Sequence, residues 1–91
     1  MYTFYDLLAL YRNHCANGNQ ELISICEALY DIAAANKKKP GELPKNFSLA
    51  NIKTDAGTIK MVLDDLRIHA KDVKMTRSTL RGNTFEVKIA S

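Results

Sequence analysis

The spacing of apolar residues changes near Asp72, and this change constrains the fold more than any other feature of the chain. Before Asp72 the apolar residues recur every three or four positions, at Ile59, Val62, Leu63, Leu66 and Ala70. After it they alternate with other residues, at Val73 and Met75 and again at Phe85, Val87 and Ile89. A period of 3.6 predicts an amphipathic helix and a period of 2 predicts half-buried strands. We therefore expect a helix and then a β-hairpin, with strands over about 72–80 and 84–90.

The loop of this hairpin can be predicted from the positions of the apolar residues that flank it. A two-residue Gly82-Asn83 turn would leave Met75 on the wrong face of the sheet. A three-residue loop over 81–83 sets Met75 opposite Ile89, and Asn83 tolerates the left-handed conformation that such loops need at their third position. Because a slip of one residue turns every side chain to the opposite face, we expect the three-residue loop.

The rest of the chain predicts further helices. Thr3 and Asp6 have the spacing of a capping box, and Gly18 suits the end of the helix that follows. Ser48 is a candidate cap for a short helix just before the long one. Ninety-one residues are enough for a single domain. We therefore expect one α+β domain, residues 1–91, with four helices over about 3–16, 20–35, 48–53 and 55–70.

The order of elements from residue 47 resembles that of a winged helix–turn–helix domain. A Ser-Leu-Ala segment at 48–50 follows an apolar residue, Gly-Thr-Ile at 57–59 opens the next helix, and a hairpin follows. The resemblance covers residues 47–90, about half of the chain. It implies that the helix over 55–70 reads double-stranded DNA in the major groove and that the hairpin is the wing. It implies contacts to nucleic acid from Thr58, Lys60, Arg67, Lys71, Lys74, Arg77, Arg81 and Lys88.

The charge is distributed unevenly along the chain, which has a net charge of +3. Residues 1–36 contain one basic and four acidic residues, a net charge of −3, whereas residues 37–91 contain twelve basic and six acidic residues, a net charge of +6. A basic half of this kind favours an acidic partner, most commonly nucleic acid. The segment 36–46 contains four lysines, two prolines and a glycine, and it is either a phosphate-contacting loop or a solvated connector.

The side of the long helix opposite its apolar stripe supports a second hypothesis. It carries Met61, Asp64, Asp65 and Ile68, and carboxylates repel phosphate. Such a face suits a protein partner or a homodimer contact. On this hypothesis the chain is an inhibitor or adaptor, of the kind encoded by phages and mobile elements, that uses the same scaffold to block a host protein.

No pattern in the sequence indicates catalysis, so we expect a non-enzymatic binding protein, a small basic regulator, with no cofactor and no small-molecule substrate. Two cysteines and two histidines, at 14, 15, 26 and 69, match no usual zinc framework. Free thiols are the expected state of both cysteines. The chain has no apolar stretch of transmembrane length and its first residues lack the features of a signal peptide, so we expect a cytoplasmic protein without a membrane partner.

Overall fold

A computed structural model describes residues 2–90 and contains, in that range, three helices and one three-stranded antiparallel sheet. The elements are α1 Phe4–His14, α2 Gln20–Ala34, β1 Asn46–Ile52, α3 Ala56–Asp65, β2 Ala70–Thr79 and β3 Gly82–Ile89. The strand order is β1-β3-β2, so β3 is paired on both sides. Apolar residues of the helices and of one face of the sheet form one buried cluster. The α+β class is therefore confirmed, although the number of helices differs from the prediction.

The first helix begins at the capping box that the sequence indicates, and the second begins at a side-chain cap as well. The Asp6 amide donates to the Thr3 hydroxyl at 3.1 Å, and the Thr3 amide donates to the Asp6 carboxylate at 2.9 Å, which forms the capping box. The Asn19 side chain accepts from the Leu22 amide at 3.2 Å at the start of α2. Gly18 lies between the two helices with φ +79°, a conformation that favours glycine. The predictions of helices near 3–16 and 20–35 are confirmed.

The predicted helix over 48–53 is wrong, because residues 48–52 belong to strand β1 and residue 53 lies in the connection that follows it. Phe47 and Leu49 are buried while Ser48 is exposed, which is the alternation of a strand. Leu49 pairs with Phe85 of β3, and the register shifts before Ile52. The irregular part of the strand contains Asn51, whose φ is +59°. This irregularity places Leu49 and Ile52 on the buried side although they are three residues apart, a spacing that resembles the face of a helix.

The predicted helix over 55–70 begins as expected but is shorter than predicted. Its apolar stripe is buried, at Ile59, Val62, Leu63 and Leu66. The helix ends at Asp65 because Arg67 has φ +64° and the Ile68 amide donates to the Leu63 carbonyl at 2.8 Å. This is the geometry of a Schellman cap, with arginine in the position that glycine usually occupies. Ala70 is buried as well, but it is the first residue of β2.

The predicted three-residue hairpin loop is also wrong. Thr79 pairs with Gly82, which leaves a two-residue loop, Leu80-Arg81. Met75 lies opposite Phe85 and not opposite Ile89. The register of β2 against β3 shifts twice, between Ala70 and Asp72 and between Met75 and Arg77. The prediction assumed one continuous register, and these two irregularities invalidate that assumption.

The hairpin is held closely against the end of β1. The backbone of Gly82 has φ +135°, and a Cβ atom on this residue would lie 2.6 Å from the carbonyl carbon of Asn51 and 2.8 Å from the amide nitrogen of Ile52. The Asn83 side-chain amide donates to the Thr54 carbonyl at 2.7 Å. A side chain at position 82 would therefore force the two strands apart.

We expect Gly82→Ala to destabilise the fold by about 2–4 kcal/mol, because it adds both backbone strain and an overlap with backbone atoms. Urea denaturation monitored by circular dichroism measures the change. Gly57→Ala is the matched control, since its added Cβ would meet only the Asp55 carboxylate at 3.4 Å. Equal stabilities of the two variants would contradict the close packing of the hairpin against β1.

Candidate nucleic-acid interface

The distal part of the hairpin is a basic projection. β2 is exposed at every residue after Val73, and the hairpin carries Lys74, Arg77 and Arg81. No aspartate or glutamate occurs between Asp72 and Glu86. Arg77 lies opposite Thr84, an uncharged residue. The hairpin end therefore presents two arginines, neither of which has a carboxylate directly opposite.

The end of the hairpin is ordered by its own side chains. The Ser78 hydroxyl donates to the Asn83 side-chain oxygen at 2.7 Å, and the Thr79 hydroxyl donates to the Gly82 carbonyl at 2.9 Å. The Arg81 amide donates to the Thr79 hydroxyl at 3.2 Å. These bonds brace the two-residue loop, and the side chain of Leu80 points fully into solvent with 101% relative exposure.

Where the sheet covers the core, its solvent-exposed face has balanced charges. Lys74 lies opposite Glu86, and Lys88 lies opposite Asp72. Directly opposed residues of antiparallel strands share one face, so each of these lysines has a carboxylate as its neighbour. Two of the predicted nucleic-acid contacts, Lys74 and Lys88, therefore lie on a mixed surface, whereas Arg77 and Arg81 do not.

Lys60 and Lys71 are brought together beside the start of α3. They line a shallow cavity of about 220 Å³, together with Gly57 and Asp72. Thr58, a further predicted contact, is half-buried, and its amide donates to the Asp55 carboxylate at 2.7 Å. The hydrogen bonds from Thr58 lower the pKa of Asp55 below its ordinary value. The helix start thus already holds one carboxylate, and a second carboxylate lines the cavity.

The structure separates Arg67 from these groups and provides no helix–turn–helix pair for α3. Arg67 follows the end of α3 and lines a different cavity, of about 440 Å³, with Phe4 and Leu43. Only residues 53–55 lie between β1 and α3, so no helix directly precedes α3. The contacts that the resemblance implies along one recognition helix are therefore distributed over separate surfaces.

The four residues of the predicted protein interface do not form one helix face. Met61 is 47% exposed and Asp64 is exposed on the outer side of α3. Ile68 lies beyond the end of the helix and packs against the core. Asp65 is exposed as well; burial raises the pKa of Tyr11 in α1, and the charge of the Asp65 carboxylate raises it further. The early end of α3 is the reason that Ile68 does not align with Met61.

The loop between α2 and β1 forms a second basic surface. It borders a groove of about 700 Å³ lined by Lys37, Lys38, Lys39 and Lys45. The Asn36 side chain orders the loop by donating to the Glu42 carbonyl at 2.8 Å and accepting from the Lys38 amide at 3.2 Å. Asn46 pairs with Lys88, so Lys45 lies near that predicted contact. The sequence analysis missed this proximity, since it depends on the pairing of β1 with β3.

The two thiols have different environments. Cys15 is exposed and Cys26 is buried, and both are free. Burial raises the pKa of the Cys26 thiol to about 11. Arg12 lowers this pKa and Glu27 raises it, and both effects are smaller than that of burial. Within residues 2–90, no group of three or more His, Cys, Asp or Glu side chains is placed to hold a metal ion.

We expect Cys15 to react rapidly with a thiol reagent at pH 8 and Cys26 to react slowly, because roughly one thousandth of a thiol with a pKa near 11 is ionised at that pH. Absorbance during reaction with Ellman's reagent measures both rates. Cys15→Ser should remove the fast phase and leave the slow one, and denaturant should make both cysteines react. Fast reaction of both thiols in the folded protein would contradict the burial of Cys26.

Comparison with protein-family models, with curated proteins and with solved structures finds no match to this chain. None of the helices within residues 2–90 is both long and apolar enough to cross a bilayer.

Proposed function

We propose that this chain is a small, non-enzymatic DNA-binding regulator whose main contact is the end of its β-hairpin, used in the manner of a wing. The observation that carries the proposal is the pair Arg77 and Arg81 on an ordered, exposed hairpin. The segment between Asp72 and Glu86 contains no carboxylate, so these arginines are the least neutralised cations of the sheet and its hairpin.

The chemistry of arginine suits this contact. A guanidinium group donates several hydrogen bonds in a fixed planar arrangement and can bind two phosphate oxygens at once. The side-chain bonds of Ser78 and Thr79 favour the observed conformation of the loop. A preordered loop loses less conformational entropy on binding than a flexible one. Phosphate binding by this hairpin is therefore favoured by both charge and rigidity.

Helix α3 has a smaller role in this proposal than the winged-helix resemblance implies. Its exposed side carries Met61 and Asp64, and Lys60 stands at the border with β2. A carboxylate near phosphate is repulsive, and an apolar side chain reads no base hydrogen-bond pattern. Contacts made chiefly to the DNA backbone carry little sequence information. We therefore propose DNA binding with weak dependence on base sequence.

We expect Arg77→Ala with Arg81→Ala to weaken binding to random duplex DNA. The slope of log affinity against log salt should become less steep by about two units, because each phosphate contact releases about one counterion on binding and this variant loses two contacts. Fluorescence anisotropy at several salt concentrations measures both quantities. Lys38→Ala with Lys39→Ala is the control, since it removes the same charge from another surface. A larger loss in this control, or no binding by the unaltered protein, would contradict the proposal.

A second measurement tests whether α3 faces the DNA. Since the hairpin makes the contact in this proposal, we expect Asp64→Asn to change DNA affinity by less than about threefold at physiological salt, where charges beyond about 8 Å are screened. A recognition helix in the groove would instead bind much more tightly once this carboxylate is removed. Anisotropy titrations of Asp64→Asn alongside the unaltered protein distinguish the two arrangements.

The exposed Met61 supports the alternative function, binding of another protein. Its side chain is 47% exposed on α3, and methionine is enriched in protein interfaces relative to the rest of the surface. In this alternative the chain is a protein-binding inhibitor or adaptor, and Met61 anchors the partner on α3. Loss of partner binding in Met61→Ser, with DNA binding unchanged, would favour it.

A further inference from the structure

We infer that the cleft between α1 and α2 binds the hairpin end of a second copy of this chain. The cleft has a volume of about 460 Å³, and its lining includes Tyr5, Leu8 and Arg12 of α1 and Glu27, Tyr30 and Asp31 of α2. None of these residues belongs to the candidate nucleic-acid interface. The inference does not rest on the proposed DNA-binding function.

The floor and one wall of the cleft suit an aliphatic side chain. Leu8 and Cys26 are buried beneath it, with 3% and 1% relative exposure. The rings of Tyr5 and Tyr30 pack together with centroids 5.1 Å apart, yet Tyr30 remains 53% exposed. An apolar floor with an exposed aromatic wall is typical of a pocket that takes an anchoring side chain from a partner.

The rim of the cleft suits a cation. Glu27 and Asp31 lie one turn apart on α2, and like charges at this spacing repel each other. Arg12 approaches Glu27 at 3.8 Å, but both side chains are at least half exposed, so this ion pair is weak. Among residues 2–90, no lysine, arginine or histidine lies within 4.0 Å of the Asp31 carboxylate. An incoming guanidinium group would relieve the repulsion and could stack on a tyrosine ring.

The hairpin end of this chain has the complementary chemistry. Leu80 is fully exposed and lies next to Arg81 in the loop, with Arg77 three residues earlier. An aliphatic anchor between two arginines matches an apolar floor beneath an acidic rim. The complementarity extends beyond the contact, because residues 1–36 carry a net charge of −3 and residues 37–91 carry +6. The exposure of Leu80 shows that the hairpin does not occupy the cleft of its own chain, so the contact is between copies.

This contact joins two different surfaces, and its geometry determines the assembly. Two copies that exchange hairpins reciprocally form a closed dimer, whereas a one-way contact extends into longer assemblies. Direct pairing of β2 edges is disfavoured, because Lys71, Lys74 and Arg77 would bring like charges together along two antiparallel strands. Contact between the cleft and the hairpin end instead brings opposite charges together.

The decisive experiment mixes two variants, each of which lacks one side of the contact. Leu80→Ser removes the anchor and keeps both arginines, and Glu27→Lys with Asp31→Lys reverses the charge of the rim at exposed positions. Sedimentation velocity should show that the unaltered protein associates. Each variant alone should associate at least about tenfold more weakly, which is the loss of affinity expected when an interface anchor is removed. Because the mixture retains one intact cleft and one intact hairpin end, it should form a one-to-one complex.

Leu10→Ser is the matched control, since it removes an exposed apolar side chain of α1 that does not line the cleft and should leave association unchanged. Circular dichroism verifies that every variant is folded. A monomeric unaltered protein, unchanged association of Leu80→Ser, or absence of a complex in the mixture would each overturn the inference. The measurement contains no DNA, and Leu80→Ser keeps both phosphate-binding arginines, so its outcome is independent of the DNA-binding test.

Discussion

The two-sided pairing of strand β3 is the constraint on which the rest of the structure depends. Phe85 and Val87 on this strand are fully buried, and they lie opposite residues of both β1 and β2. Their burial requires that Glu86 and Lys88 face the other way, because side chains of a strand alternate between its two faces. The helices pack on the apolar face. The same alternation that forms the core thus assigns the charged residues of the sheet to solvent.

The position of the hairpin end follows from this pairing. The close approach of Gly82 to Asn51 and the bond from Asn83 to Thr54 attach the start of β3 to the end of β1. The loop between β2 and β3 therefore projects from an anchored base, although its own side chains are exposed. A binding group on such a hairpin keeps a defined orientation without being buried. This is why we propose Arg77 and Arg81, and not the longer list of basic residues, as the principal contact to DNA.

The parts of the fold that depend on local signals could be predicted from the sequence. The capping box at Thr3 indicates the start of α1, Gly18 indicates the break before α2, and the alternation around Phe85 predicts a strand. The errors occur where the structure is determined by contacts between residues far apart in sequence or by uncommon backbone conformations. Asn51 and Arg67 adopt positive φ without being glycine, so neither the bulge in β1 nor the end of α3 has a strong sequence signal. The incorrect prediction of a helix in place of β1 followed directly from the bulge at Asn51.

The candidate sites likewise divide into features with a local sequence signal and features that depend on distant contacts. The basic character of the hairpin is visible in the sequence, since the segment from 73 to 85 contains cations and no carboxylate. The pairing of Lys74 and Lys88 with acidic neighbours depends on the register, which the sequence analysis predicted incorrectly. The cleft at Tyr30 and Asp31 depends on the packing of α1 against α2. A helical period identifies the buried face of each helix but not the space left between two helices.

The two proposals use the same hairpin end, and thermodynamic linkage connects them. A hairpin seated in the cleft of a second copy has Arg77 and Arg81 beside carboxylates, so these guanidinium groups cannot simultaneously bind phosphate. DNA binding and self-association then compete for each hairpin end, so each weakens the other. Self-association lowers the population of chains that can bind DNA, and the apparent affinity falls in proportion to that population. The charge asymmetry of the chain, acidic in its first helices and basic in its hairpin, would in this way both attract DNA and limit access to the surface that binds it.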